Sequence, residues 1–356
     1  MRKVLWLIMA VATLLILGAC QQDGANQESS PSEQTDSGEP DQIEKEEEEE
    51  KEETPSAEEP APAYTYPLTG EPSEEPVDHR VLSVMVNNHT KARPQSGLSQ
   101  ADVVYEVLAE GQITRFLALF HSELPDKIGP VRSAREYYFK LAGGYNAFYT
   151  YHGAAAHIND QVAASGIPFF DGASYDNNGW LFERSSERAA PHNSYFLSNG
   201  LNQVAEQKGY EQKVETASLP FAEEITEGTA VDQVTITYSN QPQEVVTFDY
   251  DAESERFLRS SDGKPSMDEA NGERVAVENV FIVETEHRII DNVGRRAIDL
   301  DSGGKGYLLQ KGSMKEVQWR NVDGRLLPYE DGEALSFTPG QTWVNIIPGN
   351  ADISSN

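Results

Sequence analysis

Arginine and histidine carry the most specific chemistry in this chain, and they gather at three places. In the first, the turn GPVR (129–132) leads into Ser133, Ala134, Arg135 and Glu136. That is the pattern of a capping box, with Ser133 as N-cap and Glu136 three residues on. A helix starting there turns its unpaired amides outward beside Arg132 and Arg135. Amides, helix dipole and two guanidinium groups together favour an anion such as a phosphate or a carboxylate. The other reading pairs both arginines with acids of a very acidic chain. The second place is His152, where a strand hands over to Gly153. Ligands bind at the C-terminal ends of parallel strands, so His152 and Arg132 could line one crevice. His152 fits a hydrogen-bonded turn equally well, and His157, at a helical position, reads as structural. In the third place Arg184 and Arg188 precede Pro191, His192 and Asn193. This mixture of guanidinium, imidazole and amide suits a loop that recognises a polar ligand such as a glycan or phosphate, or a solvated loop.

Other constellations carry less. Glu106 and Glu110 on one strand would lie about 13 Å apart, too far for a glycosidase pair, which needs roughly 5 to 9 Å. Asp249, Asp251, Glu253 and Glu255 lack the glycine that a calcium loop needs at its sharp turn. Asp171, Asp176, Asn177 and Asn178 offer hard oxygen ligands but no defined metal set. The sequence contains no G-x-S-x-G, H-E-x-x-H or P-loop, no cysteine placed as a nucleophile, and nothing that calls for a metal or cofactor.

The elements that must position these residues read as follows. Val81–Val86 is a strand ending in Asn87, Asn88 and His89, and 103–109 with 114–119 form a hairpin around Gly111. A helix runs from Ser133 to the stop at Gly143 and Gly144. Strand 147–151, a helix over 154–165 and a helix over 200–208 follow. After about Gly228 the texture changes to short strands at regular spacing (234–238, 245–250, 256–259, 277–285, 296–300, 306–310, 315–319, 334–337 and 342–347), punctuated by Asp-Gly, Asn-Gly, Gly-Gly and Pro-Gly pairs. The expectation is an α+β protein: a mixed α/β domain over 64–220, then a mostly antiparallel β-rich domain over 228–350.

Ahead of both lies an export pattern. Arg2 and Lys3 precede an apolar run from Val4 to Ala19, and Leu17, Gly18 and Ala19 stand just before Cys20. The run is shorter than the roughly 20 residues of a membrane-crossing helix, so residues 1–20 read as a lipoprotein signal peptide with Cys20 as the acylated residue. Cys20 is the only cysteine in the sequence, so no disulfide framework competes for it. Residues 21–63, rich in Glu, Ser and Pro, bury too little to offset ordering entropy and read as a disordered acidic tether. The formal net charge of −31 and the lack of a basic stripe exclude nucleic acid as a partner class.

Four segments carry a resemblance: VNNHTKARPQSGLSQADVVYEVLAEGQITRFLALF (86–120), IGPVRSAREYYFKLAGG (128–144), APHNSYF (190–196) and PGQTWVNIIP (339–348). In these the chain resembles the YerB-like lipoprotein family, from about Pro67 to Pro348. The resemblance implies an N-terminal mixed domain, a C-terminal β-rich domain and an envelope location, and it supplies no catalytic residues. The order strand, turn, Pro-Val-Arg-Ser, helix, Gly-Gly is similar in outline to the polyprenyl-pyrophosphate-binding phosphotransferases of the cell wall, although Ser133 stands where they carry an acid. The expected function is a lipid-anchored module on the outer face of the cell membrane. Through Arg132, Ser133, Arg135, His152, Arg184, Arg188, His192 and Asn193 it would bind an envelope glycan, a phosphate-bearing ligand or a wall-synthesis protein. The alternative is an enzyme acting on a phosphorylated envelope polymer or polyprenyl-phosphate carrier, with His152 or His192 as acid/base.

Overall fold

A computed structural model describes residues 63–225, 227–239 and 245–356. The signal peptide, Cys20 and all but the last residue of the acidic tether lie outside the described residues. Among the described residues no helix is long and apolar enough to cross a membrane.

The first strand, β1 (Leu82–Asn87), and the pair β2 (Val103–Leu108) and β3 (Thr114–Phe120) are buried along their whole length. A strand apolar on both faces needs cover on both sides, and the chain supplies it. Alternate residues separate cleanly: Leu82, Val84 and Val86 share one core with Phe116 and Phe120, and Met85 shares the other with Leu117 and Leu119. Helix α1 (Glu136–Gly143), strand β4 (Phe148–Tyr151), helix α2 (Ala156–Ala164) and strand β5 (Phe169–Asp171) come next. Two short strands, β6 (Phe182–Arg184) and β7 (Ser194–Leu197), pair with each other, and helix α3 (Leu201–Gln207) follows. Tyr138, Leu141 and Ala142 of α1 and Ile158 and Val162 of α2 cover the second face of the sheet, whereas α3 covers the first.

The later strands divide between two sheets. Strands β8 (Gln233–Thr237), β9 (Val245–Asp251) and β10 (Arg256–Ser261) form an antiparallel sheet closed by the final strand 352–355. Val234, Ile236, Phe248 and Phe257 pack it onto the first face of the main sheet. Strands β11 (Asn279–Thr285), β12 (Gly304–Gln310), β13 (Ser313–Val322), β14 (Arg325–Glu330) and β15 (Thr342–Pro348) join the main sheet. Its order is β14, β13, β12, β11, β15, β2, β3, β1, β4, β5, with Glu333–Ala334 at one edge. Strand β15 lies parallel to both β11 and β2, and so stitches the late segment to the early one. The architecture is β-rich, and the three α-helices among the described residues are seven to nine residues long.

A buried ion pair ties the two sheets together. Glu106 of β2 is fully buried and Arg259 of β10 is 2% exposed. The Arg259 Nη2 lies 3.0 and 2.8 Å from the two Glu106 oxygens. Trp343 Nε1 and Thr114 Oγ1 also donate to the carboxylate, at 2.9 and 2.8 Å. The guanidinium lies over the rings of Trp343 and Phe116. A charge this deep is tolerable only with such partners. The sequence shows Glu106 as one acid in an apolar strand and gives no hint that Arg259 answers it.

Helix α1 does not start at Ser133. Arg135, in extended conformation, is the N-cap residue, Glu136 is the first helical residue, and no side chain caps the end. The stop is where the sequence puts it, for a packing reason: a Cβ on Gly144 would stand 2.5 Å from the Gly324 carbonyl carbon in the β13–β14 turn.

Candidate functional site: a donor-lined pocket at the end of the first strand

Residues 129–132 run alongside the end of β1: the Asn87 amide donates to the Pro130 carbonyl at 2.8 Å and the Arg132 amide to the Met85 carbonyl at 2.9 Å. The His152 amide in turn donates to the Arg132 carbonyl at 3.0 Å. Strands β1, β4 and β5 are parallel, so Arg132 and His152 do stand at the C-terminal ends of parallel strands.

A cavity of about 210 Å³ opens there, lined by Asn87, His89, Glu110, Arg115, Arg132 and His192 among others. Its polar groups are almost all donors. The Asn87 Oδ1 accepts the His89 amide at 3.0 Å, so its Nδ2 is the group facing His192 Nδ1 at 2.9 Å. That makes His192 Nδ1 an acceptor and places its ring hydrogen on Nε2. His89 Nδ1 accepts the Lys91 amide at 3.1 Å, which leaves a hydrogen on its Nε2 as well. The two rings lie against each other with centroids 4.6 Å apart and planes tilted by 36°.

The cationic groups differ in how they are answered. Glu110 pairs with Arg115 at 2.7 Å and with Arg135. Arg132 is half-buried and makes no ion pair among the described residues. Its Nη1 reaches only the Pro191 carbonyl, at 3.5 Å. Desolvation, then the charge of Arg115, pushes its pKa down to about 10, so it remains a cation at neutral pH. Burial, then the neighbouring charges of Lys91, Arg93 and Arg132, holds His89 below the ordinary histidine value. His192 is depressed by burial and by His89 and Arg132. The neighbourhood therefore has uncompensated positive potential and free N–H donors, the condition for holding an anion.

The other expected residues go elsewhere. Arg135 turns toward Glu110 and the Ala134 carbonyl, and Ser133 contributes its carbonyl to Arg115 at 3.4 Å. His152 is held by Ser194 Oγ at 2.7 Å through Nδ1 and by Arg184 Nη2 at 3.2 Å through Nε2. Burial and the charge of Arg184 lower its pKa. Its Nε2 lone pair, aimed at a guanidinium, is not available as a base. Gly172 has no room for a side chain because a Cβ would lie 2.6 Å from His152 Nδ1. Arg184 is satisfied by Asp176 at 2.7 Å and Asn193 Oδ1 at 2.9 Å, and Asn193 Nδ2 donates to the Ser185 carbonyl. Arg188 binds the Ala92 and Pro94 carbonyls, Tyr195 and Glu269. Asp171 Oδ1 accepts the amides of Gly153 and Ala173, and Asn178 Oδ1 those of Trp180, Leu181 and Phe182. Among the described residues no group of three His, Cys, Asp or Glu is placed to hold a metal ion.

Asn87, His89, Arg115 and Glu110 were not singled out as ligand groups from the sequence. The available signal was Asn87-Asn88-His89 closing a strand, the same place in a strand that drew attention to His152.

A donor-lined crevice on a large mixed sheet marks a β-rich protein, and the comparisons with known proteins give the family. Residues 68–211 match the family described as "Protein of unknown function (DUF3048) N-terminal domain", and residues 234–344 its C-terminal domain. The chain belongs to this YerB-like two-domain family. It is 46% identical over 285 residues to "Putative lipoprotein YerB" of Bacillus subtilis (strain 168), covering 79% of this chain and 86% of the relative. It is similar also to the crystal structure of the YerB protein from Bacillus subtilis, with a TM-score of 0.76 and 44% identity over 82% of this chain and 99% of that one.

Proposed function

We propose that this chain is a lipid-anchored extracytoplasmic envelope protein that binds an anionic ligand, a phosphate-bearing envelope component foremost, in the pocket of Arg132, His89 and His192. The observation that carries the reading is the Arg132 guanidinium, half-buried, cationic and without an acid, flanked by two histidines whose Nε2–H groups are free. A buried charge without a partner is costly, and an anion supplies the missing partner. A glycan or a wall-synthesis protein that bears such a group would be held the same way. The test is titration with inorganic phosphate and with sulfate: wild type binds, and Arg132→Ala loses at least about tenfold in affinity. Equal binding by both overturns the reading.

Binding is favoured over catalysis on a phosphorylated polymer by the partners of the histidines. His89 faces an amide, His192 an asparagine and His152 an arginine, so no carboxylate orients any of them as a general base. The anchor reading rests on the Leu17-to-Cys20 pattern and on the printed name of the relative. A Cys20→Ser variant should be released from membranes or left unprocessed, and firm retention of a cleaved form would contradict it. We keep residues 64–220 as a mixed α/β domain and 228–350 as a β-rich one, a division supported by the confinement of the α-helices among the described residues to the first segment.

A further inference from the structure

Six large hydrophobic side chains are exposed among the described residues, and three of them fall within five positions: Ile289, Ile290 and Val293, at 59%, 55% and 63%. They crown a two-stranded hairpin, His287–Ile289 with Arg296–Ile298, whose strands pair with no other. The hairpin is built and held. Beside its turn, opposite Ile289, Arg296 donates to the Ala109 carbonyl and Gln112 Oε1 at 3.2 and 2.9 Å. At its tip Asp291 Oδ1 accepts the amides of Val293 and Arg295, both at 3.0 Å, and its other oxygen pairs with Arg295 at 3.2 Å. A turn fixed this way presents the apolar side chains outward instead of folding them back.

The charge toward the turn runs against that of the chain, although the acids Glu286 and Asp299 stand at the hairpin's base. Between 287 and 298 stand Arg288, Arg295 and Arg296 against the one carboxylate of Asp291, in a protein of net charge −31. Arg288 makes no ion pair among the described residues, and Arg296 bonds only to uncharged groups. A chain this acidic is repelled by an anionic surface, so a local cationic rim around an apolar tip is what approach to such a surface requires. Apolar side chains reaching past the headgroups, with arginines level with the phosphates, are the composition of interfacial membrane anchors.

We propose that the 287–298 hairpin is a membrane-docking tip, in which Ile289, Ile290 and Val293 enter the acyl boundary of an anionic bilayer while Arg288 meets its phosphates and Arg295 and Arg296 hold the turn behind it. The proposal rests on the envelope reading only for the presence of a bilayer, and it needs neither the acyl anchor nor an occupied Arg132 pocket.

The test uses the full chain carrying Cys20→Ser and Val293→Cys, so that an environment-sensitive fluorophore sits at position 293 alone. It is mixed with vesicles of phosphatidylcholine, with or without phosphatidylglycerol. The label should shift to the blue and be quenched by a lipid-borne quencher. Half-maximal change should need about tenfold less lipid in the anionic vesicles. A label at Glu333→Cys, on another exposed hairpin, should stay in water. Arg288→Glu should erase the preference for anionic vesicles, and Ile289→Ser with Ile290→Ser should erase the shift. A label at 293 that stays in water beside anionic vesicles overturns the proposal, as does a shift that needs a second protein. Neither outcome touches sulfate binding by Arg132.

Discussion

Two arginines on the main sheet's first face and at its strand ends behave in opposite ways. Arg259 is sealed between sheets, with both oxygens of Glu106 in reach and the rings of Phe116 and Trp343 against its guanidinium. Arg132 lies at the end of β1 with one long bond to a carbonyl and no acid partner among the described residues. The first arginine's counter-charge is supplied inside the fold, so its role is architectural. The second has no counter-charge among the described residues, which is why it carries the proposed site. An internal counter-charge, rather than the presence of a guanidinium, distinguishes the two. By the same criterion Arg184 and Arg188 belong with Arg259.

The largest effect should come from breaking the sealed pair. Glu106→Ala leaves Arg259 buried without a counter-charge and should cost about 3 to 5 kcal/mol in chemical denaturation, with sulfate binding intact in whatever remains folded. Arg132→Ala should do the reverse: stability within about 0.5 kcal/mol of wild type, and anion affinity down at least about tenfold. A large stability loss in Arg132→Ala would erase the distinction between the two arginines.

Arg184→Ala falls between them. It removes bonds to Asp176, Asn193 and His152, and should destabilise by about 1 to 2 kcal/mol while leaving sulfate affinity within about twofold. A collapse of binding there would return the Arg184 to Asn193 loop to the site.

A pH effect sharpens the comparison further. His89 and His192 titrate below the ordinary value of 6.5 in the folded protein. The unfolded chain therefore takes up their protons first, and their contribution to stability is lost as pH falls below that value. A bound anion raises both pKa values, so sulfate, whose own charge is constant in this range, should bind more tightly at about pH 6 than at about pH 8. Replacing both histidines by Ala should flatten that slope. The smallest effect belongs to a surface pair: Lys140→Ala, removing the bridge to Glu136, should cost no more than about 0.5 kcal/mol.

Much of the framework was legible from local pattern. The β1 strand, the β2–β3 hairpin, the stop at Gly143 and Gly144, and the run of short later strands all announce themselves by alternation and turn residues. The start of α1 did not. Ser133 and Glu136 have the spacing of a capping box, yet residues 131–132 are drawn out along β1 by bonds from Arg132 to Met85 and from Asn87 to Pro130, and the helix starts three residues later. Long-range contacts are what single-sequence reading lacks. The insertion of β15 between β11 and β2, the meeting of Glu106 with Arg259 across 153 positions, and the convergence of His89 with His192 across the first half of the fold leave no periodic trace. For the site, Arg132 and His192 were legible by residue type, whereas His89 and Arg115 emerged only once β1 and β3 were side by side.

The central claim is that Arg132 is a cation waiting for an anion, and calorimetric titration of sulfate into wild type and Arg132→Ala at about pH 6 tests it most directly. The account predicts saturable binding to wild type with proton uptake, and at least about tenfold weaker binding to the variant. Binding of equal strength in both proteins, or none in wild type, would contradict it.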